Sequence, residues 1–169
     1  MRYAVYALLG IAGFALQAGL FPQVRLFGIE IDLLAPLAAM VGFLGGPLPG
    51  MFLGMGAGLA LDALFSSALG FYALPLMAVG YLAGLLRDQP FSRFVLIPPG
   101  IGAAAVLLKE ALSLVLAYFL NLPFAAGYIF GAKVLPGMLV GAGVSTLLYL
   151  ALSRLFKARF MRPRKTLDF

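Results

Sequence analysis

The 169-residue sequence contains no cysteine, no histidine and no tryptophan. Without cysteine the chain forms neither disulfide bonds nor thiolate metal sites. Without histidine it lacks the commonest general base and the commonest transition-metal ligand, so neither a Ser–His pair nor a thiol nucleophile can be assembled. The six acidic residues are scattered along the chain, with no spacing typical of a metal site. The sequence therefore predicts a protein that is not an enzyme and has no cofactor.

Charge is also scarce. Charged residues make up 11% of the chain and hydrophobic residues 63%, with a mean hydropathy of +1.07. A soluble globular domain is nearer half apolar and a quarter charged. At roughly 20 residues per membrane span, about six helices fit into this length. We therefore expect an all-α polytopic membrane protein with six transmembrane helices in one compact bundle over residues 1–156, followed by a basic cytoplasmic tail over residues 157–169.

Apolar runs and helix breakers divide the chain into six predicted spans. These are Tyr3–Phe21, Asp32–Gly45, Pro49–Phe65, Phe71–Leu86, Phe94–Leu120 and Phe130–Phe156. We expect Pro136-Gly137 to interrupt the last span, since helix breakers are tolerated at membrane depth where neighbouring helices satisfy the freed backbone. Between the first two spans, Val24–Ile31 alternates loosely between apolar and polar residues, which is consistent with a short extended cap or with an ordinary loop.

Basic residues predict the orientation in the membrane. Nine of the twelve lie at the N-terminus, between spans 4 and 5, or from Arg154 to the end of the tail. Six spans place these three regions on one side, which the positive-inside rule assigns to the cytoplasm. The tail is open to three interpretations: it determines topology, binds anionic lipid headgroups, or binds an acidic partner. Nucleic-acid binding is not expected, because the charge adjoins the membrane and has no attached domain.

Small residues recur at every fourth position of spans 2 and 3 and lead to an acid. The positions are Gly42, Gly46, Gly50, Gly54, Gly58, Asp62, Ser66 and Gly70. In lipid, small residues one turn apart let helix backbones approach closely. Pro47 and Pro49 must divide this ladder into two faces of a helical hairpin. The face formed by Gly50, Gly54, Gly58 and Asp62 is the candidate site for a partner helix, with packing inside the bundle as the alternative.

Four charged residues form a predicted intramembrane network: Asp62, Lys109, Glu110 and Lys133. At 1.5 Å per residue, Asp62 and Lys109 both lie roughly 20 Å from the inner face, which permits an ion pair. Glu110 should reach Lys109 only through water or a neighbour, because consecutive helix residues do not face each other. Lys133 is an alternative partner for either acid. The network would fix helix register, line a cavity or receive a partner's polar group; alternatively, Asp62 is an interfacial residue at a helix end.

Several of these segments resemble a known family when taken together. They are Leu16-Gln17, Leu20-Phe21-Pro22, Asp32-Leu33-Leu34, Gly50, Gly54, Gly58-Leu59, Asp62, Leu69-Gly70, Ala73-Leu74 and Gly80-Tyr81-Leu82-Ala83-Gly84. In this pattern and in its hydropathy, the chain resembles the rod shape-determining protein MreD family of bacterial inner-membrane proteins. Ile31 departs from the pattern, since the family often has proline before the aspartate.

The resemblance implies a non-enzymatic scaffold of the cell-wall elongation machinery in the bacterial inner membrane, with both termini cytoplasmic. It implies binding of the transmembrane helix of MreC, and contact, direct or through MreC, with the glycosyltransferase RodA and its penicillin-binding transpeptidase. MreB filaments at the cytoplasmic face are a further implied partner.

The family is also similar in architecture to the substrate-binding components of energy-coupling factor transporters. This likeness supplies the alternative function, a membrane component that binds a small vitamin-type molecule. Transporter components of that kind often carry an Ala-x-x-x-Ala motif in their first helix. The first span here has Ala15 and Gly19 but no such pair, which favours the scaffold.

Overall fold

The computed structural model describes residues 2–19, 25–26, 29–30, 32–66, 69–87, 97–120 and 134–157. Within these residues the chain forms six α-helices and one pair of two-residue antiparallel strands. The elements are α1 (Arg2–Gly19), β1 (Arg25–Leu26), β2 (Ile29–Glu30), α2 (Leu34–Gly45), α3 (Pro47–Phe65), α4 (Ala73–Leu85), α5 (Ile97–Phe119) and α6 (Leu135–Lys157). Apart from the short strand pair, which falls in the segment with alternating residues, the predicted all-α fold is confirmed.

Prolines and positive-φ glycines determine where the helices begin. Helix α3 begins at Pro47, immediately after Gly46, whose φ of 111° suits glycine. The ladder is divided there, as predicted. Pro136 lies in the first turn of α6, where a backbone N–H is not required. The helix therefore begins at Leu135 and continues through Pro136-Gly137 without a break; the first residues of the predicted span, 130–133, lie outside the described residues.

Helix α2 is the centre of the bundle. Its residues from Leu34 to Phe43 are all buried, and it contacts each of the other five helices. Met40 and Val41 of α2 lie in one hydrophobic core with Leu76 and Val79 of α4. A helix that is apolar on every side is typical of such a fully enclosed position.

Glycines bring α2, α3 and α4 into backbone contact. A Cβ atom added to Gly42 of α2 would collide with the carbonyl oxygen of Gly80 on α4, and one added to Gly80 would collide with Gly50 on α3. Alanine at any of these positions would therefore force two backbones apart. The three helices form a close-packed unit of the kind that small residues allow in lipid.

Helices α5 and α6 form a second tightly packed pair. A Cβ on Gly102 of α5 would meet the hydroxyl of Ser145 on α6. That buried hydroxyl is the donor to two carbonyl oxygens, which share its single hydrogen: Pro98 at 2.8 Å and Ala142 at 2.9 Å. The pair is thus joined by a polar contact as well as by close packing.

Among the described residues, three helices are long and apolar enough to cross a membrane: Pro47–Phe65, Ile97–Phe119 and Leu135–Arg154 within α6. The apolar parts of α1, α2 and α4 are shorter, at Val5–Gly19, Leu34–Gly45 and Ala73–Leu85. The length and composition of the three long helices support a membrane protein.

Candidate functional site

Asp62 lies near the end of α3 and is almost completely buried, with 1% of its surface exposed. Its carboxylate accepts hydrogen bonds from three backbone amides of the turn into α4: Gly70 at 2.8 Å, Tyr72 at 2.8 Å and Ala73 at 3.2 Å. The first amides of a helix have no partner within the helix. Asp62 supplies a hydrogen-bond acceptor for these amides from a different helix, and so it joins the end of α3 to the start of α4.

Lys109 does not pair with Asp62, contrary to the sequence prediction. Its ammonium group lies 2.6 Å from Asp32 Oδ2 and 2.9 Å from Glu110 Oε1. The other oxygen of Asp32 accepts the amides of Leu34 and Ala35 at the start of α2. Asp32 therefore caps α2 and anchors α5 at the same time.

Glu110 also differs from its expected role, because it contacts Lys109 directly. The flexible four-carbon side chain of lysine reaches its neighbour although the two Cβ atoms point in different directions. The three side chains of this Asp32–Lys109–Glu110 cluster are 14–18% exposed. Lys133, the remaining residue of the predicted network, lies outside the described residues.

The glycine face of α3 is covered by α4. A Cβ on Gly54 would collide with the backbone of Leu76, and one on Gly58 with the backbone of Ala73. Gly50 is buried in the same interface, and Asp62 bonds to the amides that precede α4. The structure thus corrects the assignment of Gly50, Gly54, Gly58 and Asp62 as a site for a partner helix, because the partner of this face is within the chain.

An open apolar groove lies on the other side of α3, between α3 and α1. We call it the α1–α3 groove. It has a volume of about 800 Å³, and its lining includes Tyr6, Ile11 and Phe14 of α1 and Leu48, Phe52 and Gly56 of α3. Leu48 and Phe52 are 60% and 58% exposed. A Cβ on Gly56 would meet no atom within 4 Å, so this glycine leaves space in the groove.

Sequence reasoning missed this groove because Gly56 does not belong to the four-residue ladder. One signal was present: Gly56 stands two residues from both Gly54 and Gly58, and therefore on the opposite side of the helix. The pattern therefore indicated that Gly56 faces away from the glycine ladder. It did not indicate that a groove separates α1 from α3 on that side.

The groove has an almost wholly apolar lining and can accept an apolar group by its shape. Its described lining contains no carboxylate, amine or amide side chain, and Tyr6 supplies the only hydroxyl group among these side chains. Within the described residues, no group of three or more acidic side chains could hold a metal ion.

The described helices have the length and composition of a helical membrane protein, and an apolar groove lies between α1 and α3. Comparison with known proteins adds nothing to this class: no family profile, curated protein or solved structure matches the chain.

Proposed function

We propose that this protein is a non-enzymatic scaffold of the cell-wall elongation machinery in the bacterial inner membrane, as its resemblance to the MreD family implies. Its α1–α3 groove holds the single transmembrane helix of MreC. Through MreC it organises RodA and the penicillin-binding transpeptidase, with MreB at the cytoplasmic face. The observation that carries this proposal is the open apolar groove, together with the glycine and aspartate pattern of α3 and α4.

The groove offers space for the side chains of a docked helix. Its volume is about 800 Å³, and it is lined by α1 and by α3 from Leu48 to Ala60. Gly56 would let the backbone of a docked helix approach α3 closely, and large apolar side chains such as Leu48 and Phe52 would contact its face. The partner helix thus lies beside α1 and α3.

Six crossings with both termini in the cytoplasm agree with the distribution of charge and aromatic residues. Arg87 follows α4, and Arg154 lies near the end of α6. Tyr72 precedes α4, and Tyr118 and Phe119 end α5. In this topology the arginines are on the cytoplasmic side and the aromatic residues at the outer interface, as membrane proteins favour.

A small-molecule carrier is the second candidate, and the volume of the groove is the observation that favours it. Binding pockets for small ligands measure about 300–1,000 Å³ and are mostly apolar. However, such pockets also contain a few polar groups that orient the ligand, whereas Tyr6 is the only side chain in the described lining that carries a polar group. The scaffold is therefore the better-supported function.

Affinity purification of the tagged protein from native membranes in mild detergent tests the proposal. Mass spectrometry then identifies the proteins and small molecules that co-purify. The scaffold predicts recovery of MreC or wall-elongation enzymes with no stoichiometric small ligand. Recovery of an ATP-binding-cassette module or a bound vitamin would contradict it and establish the carrier.

A further inference from the structure

Helix α4 is too short to match an ordinary bilayer. It has 13 residues, which corresponds to about 20 Å at 1.5 Å per residue. The hydrocarbon core of a bilayer is about 30 Å thick. Helix α2 is similarly short, with 12 residues, but other helices bury it from Leu34 to Phe43. Helix α4 differs, because Leu74, Tyr81, Leu82, Leu85 and Leu86 are exposed along or next to it.

The outer end of α4 is held in place by Asp62. This carboxylate accepts hydrogen bonds from the amides of Gly70, Tyr72 and Ala73. The start of α4 is therefore at the same level as Asp62, which lies one turn before the end of α3. The irregular backbone of this turn adjoins Leu69, which is 83% exposed. Exposed irregular backbone does not occur within the hydrocarbon region, so the start of α4 requires polar surroundings.

The inner end of α4 is held by Arg87. Its Nη1 donates to the Gly45 carbonyl oxygen at 3.0 Å, and its own amide bonds to the carbonyl oxygen of Gly84 and ends the helix. A charged side chain near a helix end normally extends toward the interface. The bond to Gly45 fixes this guanidinium group close to α4, so the interface must lie there.

We propose that this protein thins the bilayer along α4, so that lipid headgroups of both leaflets approach its two ends. The interaction surface is the apolar band between Ala73 and Arg87, and its partner is lipid with a hydrocarbon thickness of about 20 Å. A shorter apolar stretch can be accommodated by bilayer thinning at a modest cost per ångström. This inference rests on the part of the proposed function in which α4 crosses the membrane.

Single tryptophans test the inference, because the chain has none of its own. The variants are Leu74→Trp and Leu86→Trp at the ends of the α4 band, and Leu82→Trp within it. Leu135→Trp and Leu150→Trp, near the ends of the 20-residue apolar stretch of α6, are the matched controls. All five positions are exposed. The full-length protein is reconstituted in dioleoylphosphatidylcholine vesicles that contain a lipid nitroxide either on the headgroup or at acyl carbon 12.

Thinning predicts that the tryptophans at positions 74 and 86 lose more fluorescence to the headgroup nitroxide, as those at 135 and 150 do. The tryptophan at position 82 should lose more to the nitroxide at carbon 12. Headgroup nitroxide confined to one leaflet should quench only one of positions 74 and 86. If carbon 12 quenches both ends of α4 more strongly, from opposite leaflets, thinning is contradicted while the crossing stands. If both ends respond from one leaflet, α4 does not cross, which overturns the six-span proposal and this inference with it.

Discussion

The carboxylate of Asp62 accepts a hydrogen bond from the backbone amide of Tyr72 at 2.8 Å. The two residues belong to the end of α3 and to the turn before α4. Through this bond and those to Gly70 and Ala73, one acidic side chain fixes the hairpin between the two helices. A residue that the sequence suggested as part of an ion pair is thus a cap for a neighbouring helix.

Asp62→Ala should strongly destabilise the protein, because it leaves three backbone amides without an acceptor. A buried unsatisfied group costs about 1–3 kcal/mol. The Ala73 amide is buried and the other two are partly buried, so the total loss should be at least about 1–3 kcal/mol. Asp62→Asn retains one acceptor oxygen but turns its amide group toward at least one N–H donor. It should therefore lose less stability than Asp62→Ala. Thermal unfolding in detergent measures both variants.

Ser153→Ala is the control, since the Ser153 hydroxyl forms an exposed bond within its own helix. Its unfolding temperature should remain close to that of the wild type. An Asp62→Ala protein as stable as Ser153→Ala would show that the three amides do not depend on the carboxylate.

Asp32 and Lys109 should be energetically coupled. Asp32→Asn keeps the oxygen that caps α2 and removes the charge that faces Lys109, and Lys109→Met keeps much of the apolar side chain. For residues in direct contact we expect a coupling free energy of about 1–3 kcal/mol in a double-mutant cycle. The free energies of unfolding of the two single variants, the double variant and the wild type give this quantity.

The same cycle between Asp62 and Lys109 is the comparison. Lys109 forms its ion pairs with Asp32 and Glu110, so the effects of Asp62→Ala and Lys109→Met should add within about 0.5 kcal/mol. If the Lys109 substitution rescued the Asp62 variant, the result would support the Asp62–Lys109 ion pair that the sequence suggested and would contradict this arrangement.

Two glycines on opposite sides of α3 should respond differently to alanine. A Cβ on Gly54 collides with the carbonyl of Leu76, whereas one on Gly56 meets nothing within 4 Å. Overpacking of a buried interface costs about 1–3 kcal/mol. Gly54→Ala should therefore lower the unfolding temperature clearly, while Gly56→Ala should leave it unchanged or raise it slightly through better helix propensity. If the two substitutions changed the unfolding temperature equally, Gly54 would not lie in the α3–α4 interface.

Topology can be tested by single cysteines, because the natural chain contains none. In the six-span arrangement, Leu69→Cys in the turn before α4 reacts with a membrane-impermeant maleimide from outside the cell. Arg154→Cys near the end of α6 reacts only after the membrane is permeabilised. If only the three long helices crossed the membrane, the two cysteines would be on the same side and would react together.

Much of the fold could be predicted from the sequence, because long apolar runs and prolines determine helices locally. Pro47 and Pro49 marked the break between α2 and α3, and the glycine ladder marked a close helix interface. The partner of that interface could not be predicted. Gly54 fits any helix with a small or backbone surface, and only the tertiary arrangement brings Leu76 of α4 against it.

The charge contacts were harder to predict for the same reason. Depth in the membrane suggested that Asp62 and Lys109 are level, but depth does not specify which helices are neighbours. Backbone amides also leave no signal in a sequence, so a carboxylate whose partners are the amides before α4 resembles an unpaired charge. Asp32 was the nearer acid, since the start of α2 lies beside α5.

The central claim is that the α1–α3 groove holds the MreC helix, and co-purification of MreC with groove variants tests it most directly. Gly56→Leu fills the groove, and Gly143→Leu adds the same side chain to an exposed site on α6 that is equally open. Both variants should unfold at the wild-type temperature. The proposal predicts that Gly56→Leu loses most of the co-purified MreC while Gly143→Leu retains it. Undiminished MreC recovery with Gly56→Leu would show that the partner binds elsewhere.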